Sequence, residues 1–314
     1  MRPTTLTSTF ALITVATLGL TACGSGDAAT NDAAPAAARN DKIPTKDVVS
    51  AVTEDPASVK LLPADVRKSG TLKIAVSVGG NPPGSVYLPD GKTVVGQDID
   101  FANAVAKVLG LELDQEVASF EAILPALDSG KYDLGTGNFG VTDERRRTID
   151  FVTYINDGQG FAVRKDSDLK KVTDLKQLCG LNVATGAGTT FEATLEENKK
   201  VCAQAGEKAY DVKTYAEPSA IWSSLQQGRS DVVMSTINGL RYAVAHQEGL
   251  KFLNEFHRLD VGFAFKKGTP YAPAFRSAVN KLIADGTYAK ILAKWGTGAS
   301  AIDRSEISPP EIKD

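Results

Sequence analysis

Residues 130–151 read GKYDLGTGNFGVTDERRRTIDF. A strand-like start at 132–134 leads into a glycine-rich loop at 135–140, and Thr142 is placed to cap a short helical turn. Arg145 falls in that first turn, beside backbone N–H groups that have no helical partner. Free N–H groups ending at a fixed guanidinium form a receptacle for a carboxylate. The same residues also fit a plain strand-turn-helix corner whose basic run, Arg145-Arg146-Arg147, is solvated. The rest of the chain decides between the two.

Upstream, 72–78 (LKIAVSV) is rich in strand formers. Residues 100–109 follow a helical period, with Phe101, Val105 and Leu109 on one face and Asp100 as a cap. A strand at 111–117 and a helix at 120–127, with Ile123, Leu124 and Leu127 inward, complete a first βα series. Residues 151–163 are apolar and glycine-interrupted, and read as an extended crossing segment. A second series follows: strand 181–184, a loop at 185–188, a helix opened by the capping-box pattern Thr189–Glu192, strand 210–215, helix 218–227, strand 231–234 and helix 238–246. Residues 259–265 are again extended. Two helices, 269–284 and 287–295, and a polar surface tail from Gly296 close the chain. Two βα blocks joined by two crossing segments predict an α/β protein of two lobes with a cleft between them, bound at the strand carboxyl ends.

The chain has 314 residues, 42% hydrophobic, enough for two lobes each with a core. A formal net charge of -3 gives no basic excess for nucleic acid. Only His246 and His257 are available as imidazoles, which excludes a histidine-rich metal site, and no phosphate-loop or dinucleotide fingerprint is present. No cofactor and no catalytic residue is expected.

At the N-terminus, Arg2 precedes an apolar run at 10–20, the length of a signal core and too short to span a bilayer. The run ends in Leu20-Thr21-Ala22-Cys23, which resembles the lipobox of bacterial lipoproteins; that resemblance implies lipidation at Cys23 and anchoring to the outer face of the cell membrane. Residues 24–60 are expected as a flexible tether and N-terminal extension, with a short helix near 48–52. In an exported chain, Cys179 and Cys202 most simply form a disulfide; the other reading is two buried thiols.

Several runs, in order, are similar to family 3 of the bacterial extracellular solute-binding proteins: Gly96-Gln97-Asp98-Ile99-Asp100, Phe120-Glu121-Ala122-Ile123-Leu124-Pro125, Thr142-Asp143-Glu144-Arg145, Gly188-Thr189-Thr190 and Gly228-Arg229-Ser230-Asp231. The resemblance implies a type II periplasmic-binding-protein-like fold of two βα lobes joined by two crossing hinge strands. Lobe one would take 61–156 plus 265–314, and lobe two 157–264, after a signal peptide at 1–23. It implies a monomeric receptor for a small carboxylate-bearing solute, serving ABC permease subunits with a separate ATPase. By the same resemblance Arg145 holds the ligand carboxylate, Phe120 packs on the ligand, and Thr189 and Thr190 meet the carboxylate from lobe two.

The chain departs from the family elsewhere. The loop usually rich in hydroxyls offers Gly137, Asn138 and Gly140. The position that usually holds an ammonium-binding aspartate is Thr236. Ser77 and Gly80 stand where an acid and an aromatic are common. Asn138, Gly140, Thr236 and Ser77 are therefore candidate ligand contacts, and Glu217 and Asp157 are candidate replacements for the missing acid. Two other functions fit the same fold: a sensor with a signalling partner, and a dehydratase-like enzyme, which would need a general acid in the cleft.

Overall fold

The computed structural model describes residues 43–79 and 81–313. The leader, Cys23, most of the tether and Gly80 lie outside the described residues. An eight-stranded sheet organises the rest. Its strands are β1 (Thr71–Val76), β2 (Glu112–Val117), β3 (Leu134–Gly140), β4 (Ile149–Arg164), β5 (Asn182–Gly186), β6 (Asp211–Tyr215), β7 (Val232–Thr236) and β8 (Leu250–Lys266). The order across the sheet is β2-β1-β3-β8-β4-β7-β5-β6. β1 runs parallel to β2 and β3, and β5 runs parallel to β6 and β7. The central strands β4 and β8 are antiparallel to each other.

Alternation along the strands builds a core on each face, as a period of two requires. In β1, Ile74 and Val76 join one buried cluster and Ala75 joins another. In the second lobe, Phe161, Val163, Val183, Val232 and Met234 face one core, while Ala162, Ala184 and Val233 face the other. The helices covering these faces are α1 (Gln97–Val108), α2 (Phe120–Asp128), α3 (Thr190–Glu197), α4 (Pro218–Gln226), α5 (Ile237–His246), α6 (Ala272–Ala284) and α7 (Thr287–Trp295). Asp100, expected to cap α1, lies inside it. The helix opens at Gly96, where a Cβ would come within 2.2 Å of the Gly84 carbonyl oxygen. The Asp100 carboxylate instead accepts from Trp295 Nε1 at 2.7 Å and pairs with Lys294 Nζ at 2.8 Å, tying α1 to α7.

The crossing segments are longer than the sequence suggested, at 16 and 17 residues. Their glycines mark close approach and not interruption. A Cβ on Gly158 would lie 2.2 Å from the His257 carbonyl oxygen, and one on Gly262 2.9 Å from that of Val152.

The tail from Gly296 is packed, not a loose surface strand. β7 pairs with β4 only over residues 159–163, which leaves the first half of that edge of β4 to be satisfied. The tail satisfies it: Thr153 N donates to Glu306 O at 3.0 Å, Ser308 N to Phe151 O at 2.9 Å, and Ile307 bridges Val152. At the other end, no helix forms at 48–52. The Asp47 carboxylate accepts from Val49 N and Ser50 N and holds a turn there, and helical segments begin only further on, at Pro56–Val59 and Ala64–Ser69. Val49 is buried against the first core.

Cys179 and Cys202 form a disulfide beside the second core, across a sequence separation of 23. A closed loop of this length stabilises by about 3 kcal/mol on the chain-entropy model. The Cys179→Ser, Cys202→Ser double variant is therefore expected to unfold with about that much less stability in denaturant titrations, and an unchanged midpoint would count against a stabilising bridge.

Candidate functional site

Both lobes line one cavity of about 180 Å³. From lobe one, the chain leaves β3 at Gly140 and turns at Thr142, whose hydroxyl oxygen accepts from Arg145 N at 3.2 Å. Residues 145–147 form a 3-10 turn. The segment 135–140 is thus not the free loop expected but a strand, paired with β1 and β8. Its glycines fit a crowded wall: a Cβ on Gly135 would stand 2.6 Å from Ile123 Cγ2, and one on Gly137 2.7 Å from Ser77 Cβ.

The Arg145 guanidinium enters the cavity wall. Nη1 donates to Gly140 O at 3.1 Å, and Nη2 donates to Gly188 O, on the other lobe, at 2.9 Å. Its Cζ lies 5.9 Å from the centroid of the Phe120 ring, which stacks on Phe139 behind it. Desolvation lowers the arginine pKa to about 10, so it stays cationic at neutral pH. Among the described residues no carboxylate forms an ion pair with it, and two carbonyls leave donors of the fork uncommitted. Its neighbour Arg146 is structural, pairing with Asp143 at 2.8 Å and donating to Ser308 O.

From lobe two, Thr189 caps α3: its Oγ1 accepts from Glu192 N at 3.2 Å and donates to Gly186 O at 2.7 Å. The expected capping box is half formed, because Glu192 Oε2 accepts from Gly188 N and not from the N–H of Thr189. Thr190 opens the helix. Thr236 caps α5 through its own hydroxyl, accepting from Gly239 N at 3.1 Å.

Two buried acids share the cavity wall. Asp157 on β4 is 0% exposed and accepts from Asn138 Nδ2 at 3.1 Å and from Asn238 N at 3.2 Å. Asn138 reaches it from a left-handed backbone conformation, with φ of 60°, which asparagine adopts more readily than most residues. Asp98 on α1 is 1% exposed and accepts from Tyr154 Oη at 2.7 Å. Burial pushes both carboxyls up to about 6. Ser85 Oγ, buried in the same wall, has no hydrogen-bond partner among the described residues.

All eight residues expected to meet a ligand line this cavity: Ser77, Phe120, Asn138, Gly140, Arg145, Thr189, Thr190 and Thr236. Of the two proposed replacement acids, Asp157 lines it, whereas Glu217 is exposed at the start of α4 and does not. Asp98, Tyr215 and Trp222 also belong to the wall and were not expected there. Trp222 follows Pro218 and Ile221 at helical spacing, so one face of α4 supplies all three; that period was readable, but not which way it faced. Neither histidine lines the cavity. His246 stacks on Tyr242 at the end of α5, and His257 lies on β8 beside an adjoining hollow that shares Arg145, Thr189 and Thr190 with the cavity.

The profile of the bacterial extracellular solute-binding proteins, family 3, matches residues 72–298. The arginine-binding protein ArgT of Corynebacterium glutamicum is 27% identical over 254 residues, covering 79% of this chain and 81% of its own. The L-cystine-binding protein TcyJ of Escherichia coli is 30% identical over 236 residues, covering 73% and 84%. A solved ancestral arginine-binding protein bound to arginine superposes with a TM-score of 0.64 at 33% identity, over 72% of this chain and 98% of that one.

Proposed function

The chain belongs to family 3 of the bacterial extracellular solute-binding proteins, and from that premise we propose that it captures an amino acid or close derivative outside the cell and delivers it to an ABC permease driven by a separate ATPase. The observation that carries this reading is Arg145. It is a guanidinium with no anionic partner among the described residues, set in a cavity that both lobes line and in contact with backbone from each. A ligand carboxylate there makes a bidentate pair with the fork and meets the start of α3, whose first-turn N–H groups favour an anion. Asn138, Ser77 and Thr236 contribute neutral polar contacts, and Phe120 an apolar face. In this reading the signal segment exports the receptor, a lipidated Cys23 anchors it, and the lobes divide near residues 156 and 264.

A thermal-shift panel of the proteinogenic L-amino acids and L-cystine on the purified protein tests the reading. A ligand present at a hundred times its Kd stabilises by about 2.7 kcal/mol. If no member of the panel raises the melting temperature, amino-acid capture is wrong.

Closure has its own test at Gly188. This residue has φ of +69°, and a Cβ on it would stand 2.7 Å from Glu121 Cβ on the facing lobe. Gly188→Ala is expected to weaken the best ligand by roughly tenfold or more, because the lobes must part to admit the methyl and about 1.4 kcal/mol of lost closure is tenfold in affinity. Titration calorimetry reads the change. Wild-type affinity would show that this contact is not part of the bound state.

A further inference from the structure

Among the described residues lining the cavity, only three carry a formal charge: Arg145, Asp98 and Asp157. When all are ionised the wall holds one net negative charge. Neither acid has an ion-pair partner among the described residues. Asp98 accepts from a phenol, and Asp157 from a side-chain amide and a backbone N–H at the start of α5. Arg258 on β8 faces Asp157 through space, but its guanidinium is tied to both carboxylate oxygens of Glu255, at 2.9 and 3.0 Å. Ser85, buried and unpartnered in the same wall, is a further polar group awaiting a partner. Buried carboxylates without a cation are costly and are normally paired.

We infer that the solute is a cationic amino acid, with its carboxylate at Arg145 and its two positive groups at the Asp98–Asp157 side of the cavity. One carboxylate and two cationic centres give the ligand a net charge of +1, the complement of the wall. The acids come from α1 and from the crossing strand β4, not from the position of Thr236, whose hydroxyl oxygen caps α5 and carries no charge. This refines the amino-acid reading above and rests on it. Aromatic rings in the wall, Phe120, Tyr215 and Trp222, suit the stem or the planar head of such a ligand.

Titration calorimetry of the purified protein with L-arginine, L-lysine and L-ornithine, beside the uncharged L-citrulline, L-glutamine and L-leucine, tests the inference. At least one basic amino acid is expected to bind roughly 30-fold or more tightly than every uncharged one, the scale on which one partner of a buried charge pair matters. Asp157→Asn and Asp98→Asn are each expected to shrink that ratio, through loss of affinity for the basic ligand. An uncharged amino acid binding as tightly as the best basic one, and losing affinity on Arg145→Ala, would overturn the charge assignment and leave amino-acid capture standing. If no amino acid binds, both readings fall. If both variants fold and keep the full preference, the acids are not the cation site.

Discussion

Arg145→Ala is expected to abolish the ligand-induced rise in melting temperature while leaving the ligand-free protein folded. The guanidinium touches two backbone carbonyls, those of Gly140 and Gly188, one on each lobe. Both are neutral acceptors, so the empty variant leaves no buried charge unpaired and is expected to stay folded. In the complex the loss is different in kind, because a desolvated ligand carboxylate is left without its cation. Removing one partner of a buried pair costs about 3–5 kcal/mol. Micromolar binding is worth about 8 kcal/mol, so the affinity of such a ligand would fall to the millimolar range or beyond. Arg145→Lys separates charge from geometry: it keeps the cation but lacks the planar fork, and an intermediate affinity is expected. A thermal shift of wild-type size in Arg145→Ala would sink the assignment of the carboxylate to this residue. A wild-type affinity in Arg145→Lys would show that charge alone suffices.

How much of this was readable follows from where the signal lies. The βα order was legible because Ile74, Phe101, Val105, Ile123 and Leu127 recur at strand or helix periods and all are buried. The strand at 134–140 was not. Glycine carries no strand propensity, and the reasons for Gly135 and Gly137 are Ile123 and Ser77, neighbours distant in sequence. The second crossing strand was read only at 259–265 because its first half, 250–258, mixes polar and apolar residues without a strand-like run. The tail misled for another reason: its bonds go to residues 151–153 of β4, with Thr153 and Glu306 separated by 153 positions, so no local pattern announces them. In the site, the turn that carries Arg145 was readable from Thr142, but the local sequence left a solvated basic corner open, and the similarity of the whole chain to the family named the residue. Asp157 could be named beside Glu217 but not ranked above it, because burial is not a local property. Only the fold separates a carboxylate that is 0% exposed from one at a helix start in solvent.

That burial gives the second large effect, a dependence of ligand-free stability on pH. In the folded protein the carboxyls of Asp98 and Asp157 are raised to about 6 from an ordinary 3.8, chiefly by desolvation. The folded state therefore holds its protons more tightly than the unfolded chain. Below about pH 4 both states are protonated and neither acid costs anything. As pH rises from about 4 to about 6 the unfolded chain ionises freely while the folded state keeps its protons, so stability falls, levelling off once the buried carboxyls ionise. A shift of about two units corresponds to about 3 kcal/mol for one such group. The two acids influence each other, so their costs do not simply double. Asp47 and Asp143 have carboxyls lowered to about 2 and act with the opposite sign, but below this window. Asp157→Asn, which keeps one acceptor for Asn138 or the Asn238 N–H, is expected to match the wild type near pH 4 and to exceed it by up to about 3 kcal/mol at pH 7. Denaturant midpoints at both pH values read the difference. A bound cation reverses the sign for the complex: with the acids paired, the stabilisation conferred by L-arginine is expected to grow between pH 5 and pH 7. A gap between Asp157→Asn and wild type that stays flat across pH 4–7 would mean that Asp157 ionises without cost, and with it would go the reason for this wall to require a cation.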